Sequence, residues 1–314
     1  MFSGLNHPTD LTLDPAFSAI CGYTDADLDR VFAPELAGLD RERIRDWYNG
    51  YNWLGEERVY NPFGILQLFR NRRFRPYWFE TGTPSFLVET LIEKQVRIPT
   101  LDGMRSDDDL LSRFDVEDIT PEALLFQTGY LTILGEEQDF DGAPRYRLGY
   151  PNHEVRRSLN KSLLAALAPN SSAVNRVPPL PDLLRANDFA AIRERLEGLF
   201  HSIPREWHTR NETARYEGYY ASVFYAWLTA AGLDLTAEDS SSAGRADLVA
   251  KLGGNVYLFE FKVVEQASKG AALAQLRSRG YADKYRPRAA EIHLIGVEFS
   301  EERRNVVAFE TALA

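Results

Sequence analysis

Residues 244–262 read GRADLVAKLGGNVYLFEFK, and the placement of their charged side chains decides the fold of the C-terminal third. Asn255-Val256-Tyr257-Leu258-Phe259-Glu260-Phe261 is a nearly continuous apolar run, the pattern of a buried strand. Glu260 and Lys262 are two apart on that strand and share a face, while Tyr257, Phe259 and Phe261 point to the other face, into a core. Gly253-Gly254 is a strong two-residue hairpin turn. With those two residues as the loop, Leu252 faces Asn255 and Asp247 stands directly opposite Glu260. With Gly254-Asn255 as the loop, Asp247 faces Lys262 instead. Either loop has an even length, so Asp247, Glu260 and Lys262 keep one face, with opposed Cβ atoms roughly 4.5–5.5 Å apart.

Two carboxylates at that distance repel unless a positive charge lies between them. A divalent cation is the natural solution, and carboxylate oxygens with spare water positions suit Mg²⁺ or Mn²⁺. Such an ion polarises a phosphoryl oxygen, lowers the pKa of a bound water and stabilises a leaving oxygen. Lys262 beside it can hold the attacking water or offset charge on pentavalent phosphorus. An Asp followed by Glu-x-Lys across a hairpin is therefore suited to phosphodiester hydrolysis. The bland reading is a solvated strand face with alternating charges.

Around this hairpin the periodicity predicts a helix over 212–231, a strand, strands over 246–252 and 255–264, a helix over 268–280 and a strand over 291–297. Pro178-Pro179-Leu180-Pro181 marks a linker, followed by one helix from Asp182 to Phe200. Pro121 to Phe126 reads as helix, and Tyr130 to Leu134 and Arg145 to Leu148 as a hairpin closed by the loop from Asp139 to Pro144. Together they predict a small winged-helix-like module. The first hundred residues read as short helices: one capped by Thr24 with Asp27 at its third position, one over 40–49, one started by Asn61-Pro62 and one started by Thr83-Pro84. The expected organisation is α/β, with a mostly helical region over 1–100, the winged-helix-like module and helical linker over 101–210, and the αβββαβ unit over 211–314.

Composition limits the function. The 314 residues carry Lys+Arg 36 against Asp+Glu 46, a net charge of −10, so the chain is a poor general polyanion binder. Any nucleic-acid contact must use a local basic patch, and residues 265–290 supply one. They hold Lys269, Arg277, Arg279, Lys284, Arg286 and Arg288 against the acids Glu265 and Asp283. The bland reading is a solvated charged face, and nothing in it predicts sequence-specific base reading. Cys21 is the single cysteine, which excludes intrachain disulfides and cysteine zinc sites and fits a reducing cytoplasm. No run of 18 apolar residues offers a membrane span, and the N-terminus has no signal-peptide pattern. The histidines His7, His153, His201, His208 and His293 are scattered, and His293 and Cys21 read as structural. Asp107-Asp108-Asp109 reads as a helix start rather than a calcium loop.

Gly244-Arg245-Ala246-Asp247 followed by Phe259-Glu260-Phe261-Lys262 resembles the PD-(D/E)XK nuclease superfamily, and the element order resembles its restriction-endonuclease-like core. Ala246 stands where the superfamily's name has Pro. The resemblance implies Asp247 and Glu260 as metal ligands, Lys262 as a catalytic residue, and an acid on the first helix, which falls on Glu217. It also implies a Gln and a Tyr on the helix after the third strand, matched by Gln275 and, at a departing spacing, by Tyr281. The bland readings are a surface Glu217 paired with Arg215 or Arg245, and an exposed helical Gln275. Tyr219 and Tyr220 read as packing aromatics.

Four further strings, YNGY (48–51), YNPF (60–63), YWFETGTP (77–84) and LFQTGYL (125–131), resemble bacterial AAA-ATPase-like proteins that end in such a nuclease domain. No Gly-x-x-x-x-Gly-Lys-[Ser/Thr] occurs, so no ATP site is carried over. On this resemblance the chain starts partway through the ATPase-like region, by gene truncation or by loss of the nucleotide-binding half, and residues 1–100 are its helical, lid-like remainder. The expected function is Mg²⁺- or Mn²⁺-dependent hydrolysis of DNA in a bacterial cytoplasm. The rivals are an inactive nuclease-like fold that binds nucleic acid or protein, and a fragment of an ATP-dependent nuclease.

Overall fold

The computed structural model describes residues 10–82, 85–107, 109–112, 119–168, 179–203, 217–241, 244–265, 270–300 and 302–314, of which 109, 112, 217–218, 239–241 and 244–245 are described by backbone alone. The chain is mixed α/β and divides into two units, residues 1–87 with 101–158 and residues 88–100 with 159–314.

In the first unit, α1 (Asp25–Val31) begins with the expected capping box, in which Thr24 and Asp27 exchange side-chain-to-backbone bonds. Helices α2 (Ala33–Leu36), α3 (Arg41–Tyr48) and α4 (Pro62–Asn71) follow, and Asn61 caps α4 by accepting from the Gly64 N–H. Their apolar faces meet in one cluster that includes Leu28, Ile44, Tyr48, Tyr60, Ile65 and Leu68. Helix α5 (Ser85–Glu93), whose residues from Val88 on belong to the second unit, follows, and its expected start at Thr83-Pro84 lies outside the described residues. Asp109 opens the four-residue α6 (Asp109–Ser112), in line with a helix start. Helix α7 (Pro121–Gln127) leads to the expected hairpin, strands β2 (Thr132–Gln138) and β3 (Pro144–Gly149), to which the short β1 (Arg105–Ser106) adds a third strand in the order β1-β3-β2. Cys21, expected to be structural, is instead exposed.

Helix α8 (His153–Leu167) carries in its first turn a carboxylate, Glu154, that is 1% exposed. Its Oε1 accepts from the Trp78 N–H at 2.7 Å and the Phe79 N–H at 3.3 Å. Burial nonetheless raises its pKa to about 7, the two amide bonds opposing the shift. A carboxyl with a raised folded-state pKa gives stability that is complete below its ordinary range and lost as pH rises through the folded value. Glu154→Gln keeps an acceptor for both amides and removes the charge. We expect it to raise stability at pH 8 by on the order of 2–3 kcal/mol and to leave it nearly unchanged at pH 4.5. Urea denaturation at the two pH values checks this, and equal wild-type and variant stabilities at pH 8 would refute it.

The second unit is built on a five-stranded sheet in the order β4-β5-β6-β7-β8. Strands β4 (Asp234–Ser241), β5 (Gly244–Leu252) and β6 (Asn255–Val264) form an antiparallel meander. Helix α12 (Ala271–Arg279) then crosses over to β7 (Ile292–Ser300), which lies parallel to β6, and β8 (Asn305–Leu313) closes the sheet antiparallel to β7. The sequence reading ended this core at a strand over 291–297; the structure extends that strand and adds β8, so the core is αβββαββ. The single helix expected over 182–200 is two, α9 (Leu180–Arg185) and α10 (Phe189–His201). Asn187 breaks it by taking φ +52°, and Asp188 starts the next helix by accepting from the Ala191 N–H. Before the sheet lies α11 (Glu217–Ala230), the helix expected over 212–231, whose first five predicted residues lie outside the described ones.

The two faces of β6 are covered differently. On one, Phe224 of α11 meets Phe259 and Phe261 edge-on at 5.2 and 5.0 Å, and Phe200 of α10 meets Phe299 at 5.0 Å. On the other, Leu273 and Leu276 of α12 pack on Val256, Leu258, Ile292 and Leu294. His293 is buried and stacks on Tyr257 at 5.0 Å, as expected of a core residue.

Candidate active site

The hairpin takes the first of the two registers considered: Leu252 pairs with Asn255, Val249 with Leu258 and Leu248 with Phe259. Gly253 and Gly254 form the loop at φ +60° and +86°, the double positive φ that a tight two-residue turn with the strands' own twist requires. Val249 shares the α12 face with Leu258, and the backbone ladder between the two strands ends at Leu248 and Phe259, one residue short of Asp247 and Glu260. Beyond Leu248 and Phe259 the Asp247 side chain takes over from the backbone ladder: its Oδ2 accepts from the Phe261 N–H at 2.8 Å. The carboxylate is thereby anchored to the strand that carries Glu260 and Lys262.

On the α12 face, β6 changes from Val256 and Leu258 to Glu260 and Lys262, and β7 changes in step from Ile292 and Leu294 to Gly296 and Glu298. Glu260 is 2% exposed. The Lys262 Nζ lies 3.9 Å from Glu260 Oε1, and the Gln275 amide of α12 donates to the same oxygen. A buried carboxylate is tolerated when charge and hydrogen bonds meet it, and both do here.

Gly296 makes the helix approach possible. It is the register partner of Glu260, and a Cβ built on it would lie 2.4 Å from the Leu273 backbone nitrogen. The bare backbone at this position lets α12 descend until Gln275 reaches Glu260.

The structure brings Lys262 and Gln275 onto Glu260, and it ties Asp247 to the backbone of the strand between Glu260 and Lys262. Glu217 is the first residue of α11, and its side chain lies outside the described residues, as do Arg215 and the side chain of Arg245. Tyr281 is 4% exposed and belongs to the apolar cluster with Val256 and Leu258. Tyr219 and Tyr220 are buried, as expected of packing aromatics. Sequence reading missed Gly296 and Glu298, which enter the site only through the parallel pairing of β6 with β7. Of the basic patch, Arg277, Arg279, Lys284, Arg286 and Arg288 are exposed, Arg286 bonds Asp283 at 3.0 Å, and Lys269 lies outside the described residues.

Among the described residues, no group of three His, Cys, Asp or Glu side chains gathers in a way that could hold a metal. Mg²⁺ binds through one or two protein carboxylates and retains several waters. Asp247 and Glu260 supply carboxylate oxygens of the kind and number that such an ion takes. Among the described residues no helix is long and apolar enough to cross a membrane.

The first unit holds a separate cavity of about 600 Å³. All four of the strings singled out in the N-terminal half contribute walls: Tyr51 from the first, Tyr60 to Pro62 from the second, Trp78 from the third and Phe126 to Gly129 with Leu131 from the fourth. No Lys or Arg lines it among the described residues.

Residues 215–309 match the PD-(D/E)XK nuclease superfamily and form a domain of that type. A protein of Azotobacter chroococcum mcd 1 described as an uncharacterized protein in the vnfD 5' region is 56% identical over 310 residues. The alignment covers 98% of this chain and 60% of that protein, so this chain spans about three-fifths of its relative's length. No solved structure matches the chain.

Proposed function

We propose that the C-terminal domain is a Mg²⁺- or Mn²⁺-dependent nuclease that hydrolyses DNA phosphodiester bonds. The observation that supports this best is the buried Glu260 with Lys262 Nζ 3.9 Å from its Oε1, on the strand whose Phe261 N–H holds the Asp247 carboxylate. Asp247 and Glu260 would hold the cation, with Glu217 extending the acidic set. When bound, the cation supplies a polarised phosphoryl oxygen and a more acidic water. Lys262 would orient the attacking water and offset the charge that grows on the phosphoryl oxygens. Gln275 fixes the rotamer of Glu260 through its amide. The exposed bases from Arg277 to Arg288 would follow the phosphate backbone without reading sequence.

Residues 1–100 are read as a helical, lid-like region similar to that of bacterial, cytoplasmic AAA-ATPase-like proteins, on the strength of the strings at 48–51, 60–63 and 77–84 alone, and no ATP site is assigned to them. The test of the nuclease reading is cleavage of supercoiled plasmid and single-stranded DNA with Mg²⁺ or Mn²⁺, comparing wild type with Asp247→Asn. Asn retains an acceptor for the Phe261 N–H, so the variant is expected to keep its fold and lose cutting. Equal cutting by both would remove Asp247 from the site. DNA binding without cutting by wild type would leave a nuclease-like binding module.

A further inference from the structure

Glu298 is a buried acid that the proposed reaction does not use. It is 1% exposed, and its Oε1 accepts from the Ala272 N–H in the first turn of α12 at 3.2 Å. Its Oε2 is fully buried with no hydrogen-bond partner among the described residues. No Lys, Arg or His among the described residues forms an ion pair with it within 4.0 Å. A buried carboxylate in that condition is costly unless a cation reaches it.

The cation placed to reach it is Lys262. The two residues are register partners on the parallel strands β6 and β7, so their side chains leave one face from backbones about 4.8 Å apart. In the structure the ammonium stands at the outer limit of an ion pair with Glu260, whose contacted oxygen also serves Gln275. Lys262 is 32% exposed on its side chain and has room to swing.

We propose that Glu298 is the positioning residue for Lys262, the carboxylate that receives its ammonium when a divalent cation occupies Glu260. A cation on Glu260 repels the ammonium, and Glu298 offers it a second seat one register step away. Without that seat Lys262 stays on Glu260 and competes with the metal. This inference rests on the nuclease reading, because it needs Glu260 to be a metal ligand.

The test is a Mn²⁺ titration of the full chain, followed by electron paramagnetic resonance of the free ion, in a double-mutant cycle. Glu298→Gln keeps an acceptor for the Ala272 N–H. It is expected to weaken Mn²⁺ binding by roughly 3–10-fold, a coupling of the size that touching groups show. In a Lys262→Met background the same substitution is expected to change binding by less than about 2-fold. A merely electrostatic or structural role for Glu298 would weaken binding equally in both backgrounds, and that result overturns the inference alone. Absence of Mn²⁺ binding by wild type overturns the nuclease reading and this inference with it. Should Glu298→Gln not fold, Lys262→Met in a Glu260→Gln background takes its place. There Glu298 is the only one of the two carboxylates left to hold Lys262, and the melting temperature without metal is expected to fall by several degrees; an unchanged value overturns the inference.

Discussion

Lys262→Ala is expected to lower the cleavage rate at saturating Mn²⁺ by about 10²–10³-fold, the range seen when one preorganised donor to a developing oxyanion is removed. The loss should fall on kcat, with KM for DNA nearly unchanged, because the ammonium acts where charge grows during reaction rather than where the phosphate backbone first docks. Mn²⁺ affinity should hold or rise, since Lys262 Nζ stands 3.9 Å from the Glu260 oxygen that the metal would take. Single-turnover cleavage and Mn²⁺ titration of the same preparation separate these readouts. A variant that loses metal binding together with cutting would make Lys262 a structural residue.

The second large effect is expected at Gly296, which has no reactive group. A Cβ there would sit 2.4 Å from the Leu273 nitrogen, 2.9 Å from its Cα and 3.0 Å from the Ala272 carbonyl carbon. All three are backbone atoms of α12, so no rotamer change relieves the clash. The helix must lift or β7 must yield, and overpacking of this kind costs about 3 kcal/mol. Gly296→Ala is therefore expected to lower the melting temperature by roughly 6–12 °C. It should also lower cutting, because lifting α12 withdraws Gln275 from Glu260. Circular dichroism melting with a parallel cleavage assay checks both, and an unchanged melting temperature would mean that α12 is not seated on Gly296.

What could be read from the sequence follows from where local rules determine geometry. Gly253-Gly254 fixes an antiparallel register within a few residues, so the pairing of Leu252 with Asn255 and the common face of Glu260 and Lys262 were legible before any coordinates. Thr24 with Asp27 and Asn61 with Pro62 announced their helices because capping is a contact within one turn. The pairing of β6 with β7 is different. Twenty-seven residues separate Val264 from Ile292, and a crossover of that length leaves the parallel register free. Neither Gly296 nor Glu298 could be placed opposite Glu260 and Lys262 without the structure. The break at Asn187 was missed because an Asn at positive φ is an option rather than a requirement. Gln275 was legible only through resemblance; its bond to Glu260 depends on how far α12 sinks onto the sheet.

The loop at Gly253-Gly254 has a consequence for how this chemistry can vary between chains. Which face a strand residue takes is a matter of odd or even, not of distance. Residues added within the loop leave the faces of both strands as they are. Inserting two residues in β5 between Asp247 and Gly253 would slide Asp247 one same-face step along the hairpin, and inserting one would turn it to the opposite side of the sheet. Length variation should therefore be free at the turn and quantised in twos within the strand.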